Sequence, residues 1–344
     1  NSQSVENSGT VTGNGPLARY LPGTLTNSGT LTSTNGPALQ LSAVTLIDNL
    51  AGGVISGGNG VALQVGGGSI RNAGTINGSV DLSNLNGYYY YGTSYTAAGG
   101  TLNGNLRFGR GNDVLIETTG SFGVTGAIDG GDGYDVVVHA RSASATVALG
   151  DLPTGFEGET VGAFGLDTAV TITGAAGRTS DIGVFGDGRI INQAATTGSV
   201  YSSYSYLLGQ DYSSQLASFD NQADVGRTLF VQANAVTNSG NVGSAAATSS
   251  DDDERGIEQY ATGTLSFNNS GTVNSANGQA VYIGADALTK ASMVNSGTLN
   301  GSLSAGLGFT ADAQNPTVTF QNSGTIKDSA AEFAAVELFG YNGF

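Results

Sequence analysis

Three aspartates stand at spacings that suit a hard cation. Gly130-Gly131-Asp132-Gly133-Tyr134-Asp135-Val136-Val137-Val138 fits the calcium-binding nonapeptide Gly-Gly-x-Gly-x-Asp-x-Φ-x. A partial copy, Gly109-Arg110-Gly111-Asn112-Asp113-Val114-Leu115, lies upstream, and Asp113 precedes Asp135 by 22 residues. If one coil has that length, the two turns stack and offer Asp113, Asp132 and Asp135 to one calcium ion, which takes oxygen ligands. Calcium rolls run many copies in tandem, and here there are two. A metal-free turn is therefore the main expectation, and calcium the alternative.

The second group is aromatic. Tyr88, Tyr89, Tyr90, Tyr91 and Tyr95 form one cluster; Tyr201, Tyr204, Tyr206 and Tyr212 form another. Consecutive side chains of a strand alternate between faces, so four successive Tyr residues leave half of their rings outside. Exposed Tyr mixed with Ser and Gly suits glycan stacking or a protein interface. The opposing reading has the rings covering gaps beneath a long loop. A third group, Ser249-Ser250-Asp251-Asp252-Asp253-Glu254-Arg255, reads as a solvated inserted loop, with weak cation binding as the lesser alternative.

Catalytic constellations are harder to assemble. The only His is His139, after Val136-Val137-Val138 and so at a strand end, with no Ser or Asp partner evident. A glycosidase needs two positioned carboxylates, and only the Asp pairs in the middle of the chain keep a hydrolase open. The 11 Lys and Arg residues are scattered, which does not suit a lyase binding an anionic substrate. The expectation is a non-enzymatic protein, with a polysaccharide-degrading enzyme as the lesser alternative.

The elements that must position these groups follow from composition and repeat. Gly reaches 56 of 344 residues without a Gly-X-Y period, and only 11% of residues are charged. That excludes collagen and a charged disordered polymer, and leaves an all-β protein with many tight turns. The net charge of −16 opposes nucleic-acid binding. Absence of Cys excludes disulfides and thiolate sites and fits an exported protein. No run approaches the ~18 apolar residues of a membrane helix. Asn1 does not open a signal peptide, so any such segment is expected to have been removed.

Asn-Ser-Gly-Thr occurs at Asn7, Asn27, Asn269, Asn295 and Asn322, with near-copies at Asn72 and Asn238 and a degenerate one at Asn49. The early steps are 20, 22 and 23 residues and the late ones 31, 26 and 27, a solenoid period with insertions. Two residues before these Asn stand Val5, Leu25, Ile47, Ile70, Val236, Phe267, Met293 and Phe320. Positions i and i+2 of a strand share a face, so the apolar residue and the Asn both point inward. Gly then supplies a bend that other residues resist. A second corner, Asn-Gly, recurs at Asn35, Asn59 and Asn277. Each coil reads as strand, Asn-Ser-Gly corner, short strand, Asn-Gly corner, strand and variable loop. Stacked coils make a parallel β-helix, and Asn7, Asn27, Asn72, Asn238, Asn269, Asn295 and Asn322 form a structural ladder that satisfies buried amides. The motif is a corner and not a ligand site. The chain reads as one solenoid over 1–344, regular over 1–80, irregular and Gly/Asp/Tyr-rich over 81–235, and regular again over 236–344.

Recurrent Asn-Ser-Gly-Thr-Φ and Asn-Gly-Ser-Φ, together with Gly126-Ala127-Ile128-Asp129-Gly130-Gly131-Asp132-Gly133-Tyr134-Asp135 and Thr168-Ala169-Val170-Thr171-Ile172-Thr173-Gly174, resemble the passenger region of bacterial autotransporters. The resemblance implies a right-handed parallel β-helix at the Gram-negative cell surface, often adhesive. The family's translocator barrel is not represented, because no alternating strands of ~10 residues precede Phe344. The functional expectation is an extracellular structural protein, an adhesive passenger or stalk that binds a host or cell-surface glycan or protein. The alternative is a subunit that stacks on itself, head to tail, into a filament or surface layer.

Overall fold

The computed structural model describes residues 4–21, 23–42, 44–83, 92–174, 178–202, 215–243, 255–310, 317–327 and 334–342. Among them every regular element is a β-strand, and the strands pair in parallel as a β-solenoid of about 12 turns. Among the described residues no helix is long and apolar enough to cross a membrane. The chain divides into two compact units, Asn1–Ala140 with Asp151–Glu159, and Arg141–Gly150 with Thr160–Phe344.

In the first unit, strands Ser4–Asn7, Thr24–Asn27, Leu46–Asn49, Ser69–Asn72, Ser94–Ala97 and Val114–Glu117 stack in register. Their inward positions place Leu25, Ile47, Ile70, Tyr95 and Leu115 in one buried column. A second face begins at Thr10–Gly13 and Thr30–Ser33 and brings in Leu31, Ile55 and Ile76. Burying each such side chain contributes roughly 1.5–3 kcal/mol. One such residue per strand of every coil is what the spacing of apolar residues encodes.

The second unit repeats this scheme. Val170, Ile190, Phe219, Val236, Phe267 and Met293 lie in register and buried, one coil after another.

The two corners need Gly for different reasons. A Cβ on Gly297 would lie 2.1 Å from the carbonyl oxygen of Gly271, one coil away. Gly297 does not have a positive φ. The Asn-Ser-Gly corner therefore needs Gly for the close approach of the neighbouring coil, not for a bend that other residues resist. At the Asn-Gly corner the reason is conformational, since Gly278 has φ 89°.

Candidate functional site: stacked amide and charged columns

Where most inward strands end at their corner, one polar side chain enters the core, and these side chains stack. In the first unit Asn7 Nδ2 donates to Asn27 Oδ1 at 2.8 Å, Asn27 to Asn49 at 2.9 Å and Asn49 to Asn72 at 2.9 Å. In the second unit Asn192 donates to Asn221, Asn221 to Asn238, Asn238 to Asn269 and Asn269 to Asn295, each at 2.8 Å, and Asn295 donates to Asn322 at 2.7 Å. Most of these amides also reach a carbonyl of their own corner, as Asn269 does at Gly271, 3.2 Å away. Asn27, Asn49, Asn72, Asn192, Asn221, Asn238, Asn269 and Asn295 are buried, whereas Asn322 is exposed. Asn192 and Asn221 escaped sequence reasoning because Ser-Gly-Thr does not follow them. The signal was the apolar residue two places earlier, Ile190 and Phe219.

The amide column changes at Tyr95. Ala97 holds the position in register with Asn72, and Tyr95 the one in register with Ile70. Tyr95 is 1% exposed. Its hydroxyl accepts a hydrogen bond from Asn72 Nδ2 at 3.2 Å. Burial pushes the phenol up to about 12, against the opposing effect of the Asn72 bond. This corrects the expectation of a partner-binding Tyr95. Its strand position faces the core, so the ring presents no surface to a glycan or protein.

The same register continues from Ala97 to Glu117 and His139, so two ionisable groups occupy positions that hold Asn elsewhere. His139 Nδ1 lies 2.6 Å from Glu117 Oε1, and its Nε2 lies 2.6 Å from Glu159 Oε1. All three residues are buried. Glu117 Oε2 also accepts the Gly120 N–H at 2.6 Å, and the Phe122 ring stands 6.3 Å from the imidazole. Burial disfavours the charged imidazole. The bonds to Glu117 and Glu159 and the charges of those carboxylates outweigh it and raise His139 above its ordinary value. Two ionised carboxylates facing both ring nitrogens are matched by imidazolium, which donates from both. His139 is the fourth residue of strand Val136–Arg141 and not at a strand end. Sequence reasoning missed its partners, although Glu117 precedes it by the same 22 residues that separate Asp113 from Asp135.

A second charged column enters the strands from the other end. Asp113 Oδ1 accepts the N–H and hydroxyl of Thr93, Asp135 Oδ1 accepts the N–H of Asp113 at 2.7 Å, and Glu157 Oε2 accepts the N–H of Asp135 at 2.8 Å. Each carboxylate thus caps the equivalent backbone N–H one coil earlier. Burial raises Asp113, against its bonds from Thr93 and Gly109. Burial lifts Asp135 to about 6, against its bond from Asp113; the charges of Asp113, Glu157 and Asp129 add to the rise. Asp135 Oδ2 is buried with no hydrogen-bond partner among the described residues.

The three aspartates of the calcium alternative do not lie together. Asp113 and Asp135 turn inward, but the Asp132 side chain is 82% exposed and lies 3.5 Å from Arg110. The three carboxylates do not converge, because Asp132 sits on the outer side of its turn. Among the described residues no group of three His, Cys, Asp or Glu is arranged to hold a metal ion.

Of the aromatic candidates, Tyr88, Tyr89, Tyr90, Tyr91, Tyr204, Tyr206 and Tyr212 lie outside the described residues, as do Ser249–Glu254. Tyr201 is half-buried and in register with Phe230. Sequence reasoning did not find the row that Phe230 opens. Its ring centroid is 5.5 Å from that of Tyr260, which is 6.0 Å from that of Tyr282. The Arg255 guanidinium lies 4.5 Å from the centre of the Tyr282 ring and 3.1 Å from Glu258. These rings are one coil apart in space but separated by unequal inserts in sequence, which hides their period.

Chemically, the columns are engaged between coils, with Asp135 Oδ2 the buried oxygen of the aspartate column that lacks a hydrogen-bond partner among the described residues. Asn amides bond to one another, the carboxylates to backbone N–H groups, and the imidazole to two carboxylates. No family model, curated protein or solved structure matches the chain.

Proposed function

We propose that the chain is a non-enzymatic structural β-solenoid of the cell exterior, acting as an adhesive passenger or stalk like those of bacterial autotransporters. One observation carries this reading: the polar side chains placed in the core are engaged between coils. His139 has both nitrogens against carboxylates. A general base needs a free position within reach of a substrate proton, and this imidazole offers none. What the coils leave outside, such as the half-buried row of Tyr201, Phe230, Tyr260 and Tyr282, is material for contact and not for bond making.

The test is to display the chain on a non-adherent bacterium and measure attachment to glycan-coated and protein-coated surfaces. Attachment above that of the display scaffold alone supports the reading. Attachment equal to the scaffold, or release of reducing ends from a polysaccharide panel, overturns it.

A second reading is self-stacking into a filament or layer, for which the exposed apolar side chains of Val5, Val11, Val318 and Leu338 offer contact surface. Head-to-tail contact of such faces propagates because it need not close. Electron microscopy of the purified protein separates the two readings: filaments or layers support stacking, and dispersed particles that still attach support the adhesive stalk.

A further inference from the structure

We propose that Glu117, His139 and Glu159 form a proton-operated latch, which holds three consecutive coils of the first unit together while the imidazole is charged and loosens them when it is neutral. The inference goes beyond the adhesive reading and does not depend on it.

The argument starts from the geometry. Both ring nitrogens lie 2.6 Å from a carboxylate oxygen, and the two carboxylates come from different coils. With imidazolium in the middle, each contact is a charge-assisted hydrogen bond. Removing one proton leaves a ring lone pair facing a carboxylate oxygen. It also removes the cation from between two buried carboxylates, with side chains 3% and 4% exposed. Losing one member of a buried charged contact is strongly destabilising.

The charged groups that act on His139 are Glu117, from strand Val114–Glu117, and Glu159, from strand Gly158–Ala163. Arg141 is buried further along the strand of His139 itself. The Phe122 ring beside the imidazole carries no charge. A raised folded value means that the stabilisation is complete below the unfolded value of about 6.5 and is lost as pH rises through the folded value. The latch closes in acid and opens in alkali.

The chain contains one His, so its imidazole resonances report this site alone. Long-range proton–nitrogen NMR on the full chain, from about pH 5 to about pH 10, should show both nitrogens protonated at neutral pH and a titration later than that of an ordinary His. Amide hydrogen exchange, corrected for its intrinsic pH dependence, should show protection over residues 94–159 falling about ten-fold or more across the same titration. Protection over residues 257–309 should stay level. Glu159→Gln should move the titration to lower pH and shrink the loss. His139→Gln, if it folds, should abolish the loss, and Glu159→Gln supplies the test if it does not. A neutral imidazole at about pH 7, or protection that ignores the imidazole titration, overturns the latch.

Discussion

From Asn192 to Asn322 the coils are joined by stacked carboxamides, and from Thr93 to Glu159 by carboxylates and one imidazole. In the first unit the two kinds of column even share one line of the backbone, because Asn72, Ala97, Glu117 and His139 are in register. The difference lies in hydrogen-bond chemistry. A carboxamide both donates and accepts, so each Asn complements an identical Asn above and below, and the column can grow without limit. A carboxylate only accepts and an imidazolium only donates. A charged column must alternate, which is why Glu, His and Glu follow one another here. Where carboxylates succeed each other, as at Asp113, Asp135 and Glu157, the donor is the backbone N–H of the neighbouring coil. Amide columns are indifferent to pH, whereas charged columns respond to it.

The largest effect should come from removing the cation. His139→Leu takes the imidazole from between the buried Glu117 and Glu159 and should destabilise the first unit by about 3–5 kcal/mol, read from denaturant unfolding near neutral pH. An effect no larger than that of a surface substitution would mean that the two columns do not differ in kind.

The amide column can be broken in its middle or at its margin. Asn269→Ala removes the acceptor of Asn238 and the donor to Asn295. Its cost should be about 2–4 kcal/mol, two lost partners at 1–3 kcal/mol each with some relaxation. Asn322→Ala acts on an exposed amide with one ladder neighbour and should cost less than about 1 kcal/mol. Equal costs for the two would show that stacking in the core is not what stabilises the ladder.

Asp135 sharpens the contrast in pH dependence. Its folded value of about 6 lies above the ordinary carboxylate value of 3.8, so the folded chain binds more protons between the two. Stability is then fully present below the lower value and declines as pH rises through the higher one. After allowance for solvent screening this amounts to about 1–2 kcal/mol. Asp135→Asn should flatten that part of the stability profile, measured by unfolding at a series of pH values. A variant with the wild-type slope would place the proton uptake elsewhere.

The smallest effect belongs to the outermost carboxylate. Asp132→Ala should change stability by less than about 0.5 kcal/mol, and added calcium should shift the unfolding of neither protein. A calcium-dependent shift in wild type that Asp132→Ala removes would restore the metal reading.

The solenoid was legible because its repeat is written in side chains that touch their own copies. An apolar residue, a spacer and an Asn recur once per coil, so Phe267, Met293 and their following Asn residues announce each turn. Glu117, His139 and Glu159 were not legible in this way. The contact joins unlike residues, and nothing in the word Val-Val-Val-His says which side chains the neighbouring coils will bring. Asp132 and Asp135 show the complementary failure. They belong to one motif, yet the backbone sends one outward and one inward.

The sequence by itself determined the all-β class, the parallel stacking and most of the Asn positions, because period and strand alternation are local properties that repeat along the chain. Only the tertiary structure decided which side chains of unlike type meet between coils. It placed Tyr95 in the core beneath Asn72, set His139 between two carboxylates and separated Asp132 from Asp113 and Asp135. The physical reason is register. The identity of an inter-coil neighbour depends on the exact length of every insertion between two coils, and a hydrogen bond tolerates errors of tenths of an ångström, not of a residue.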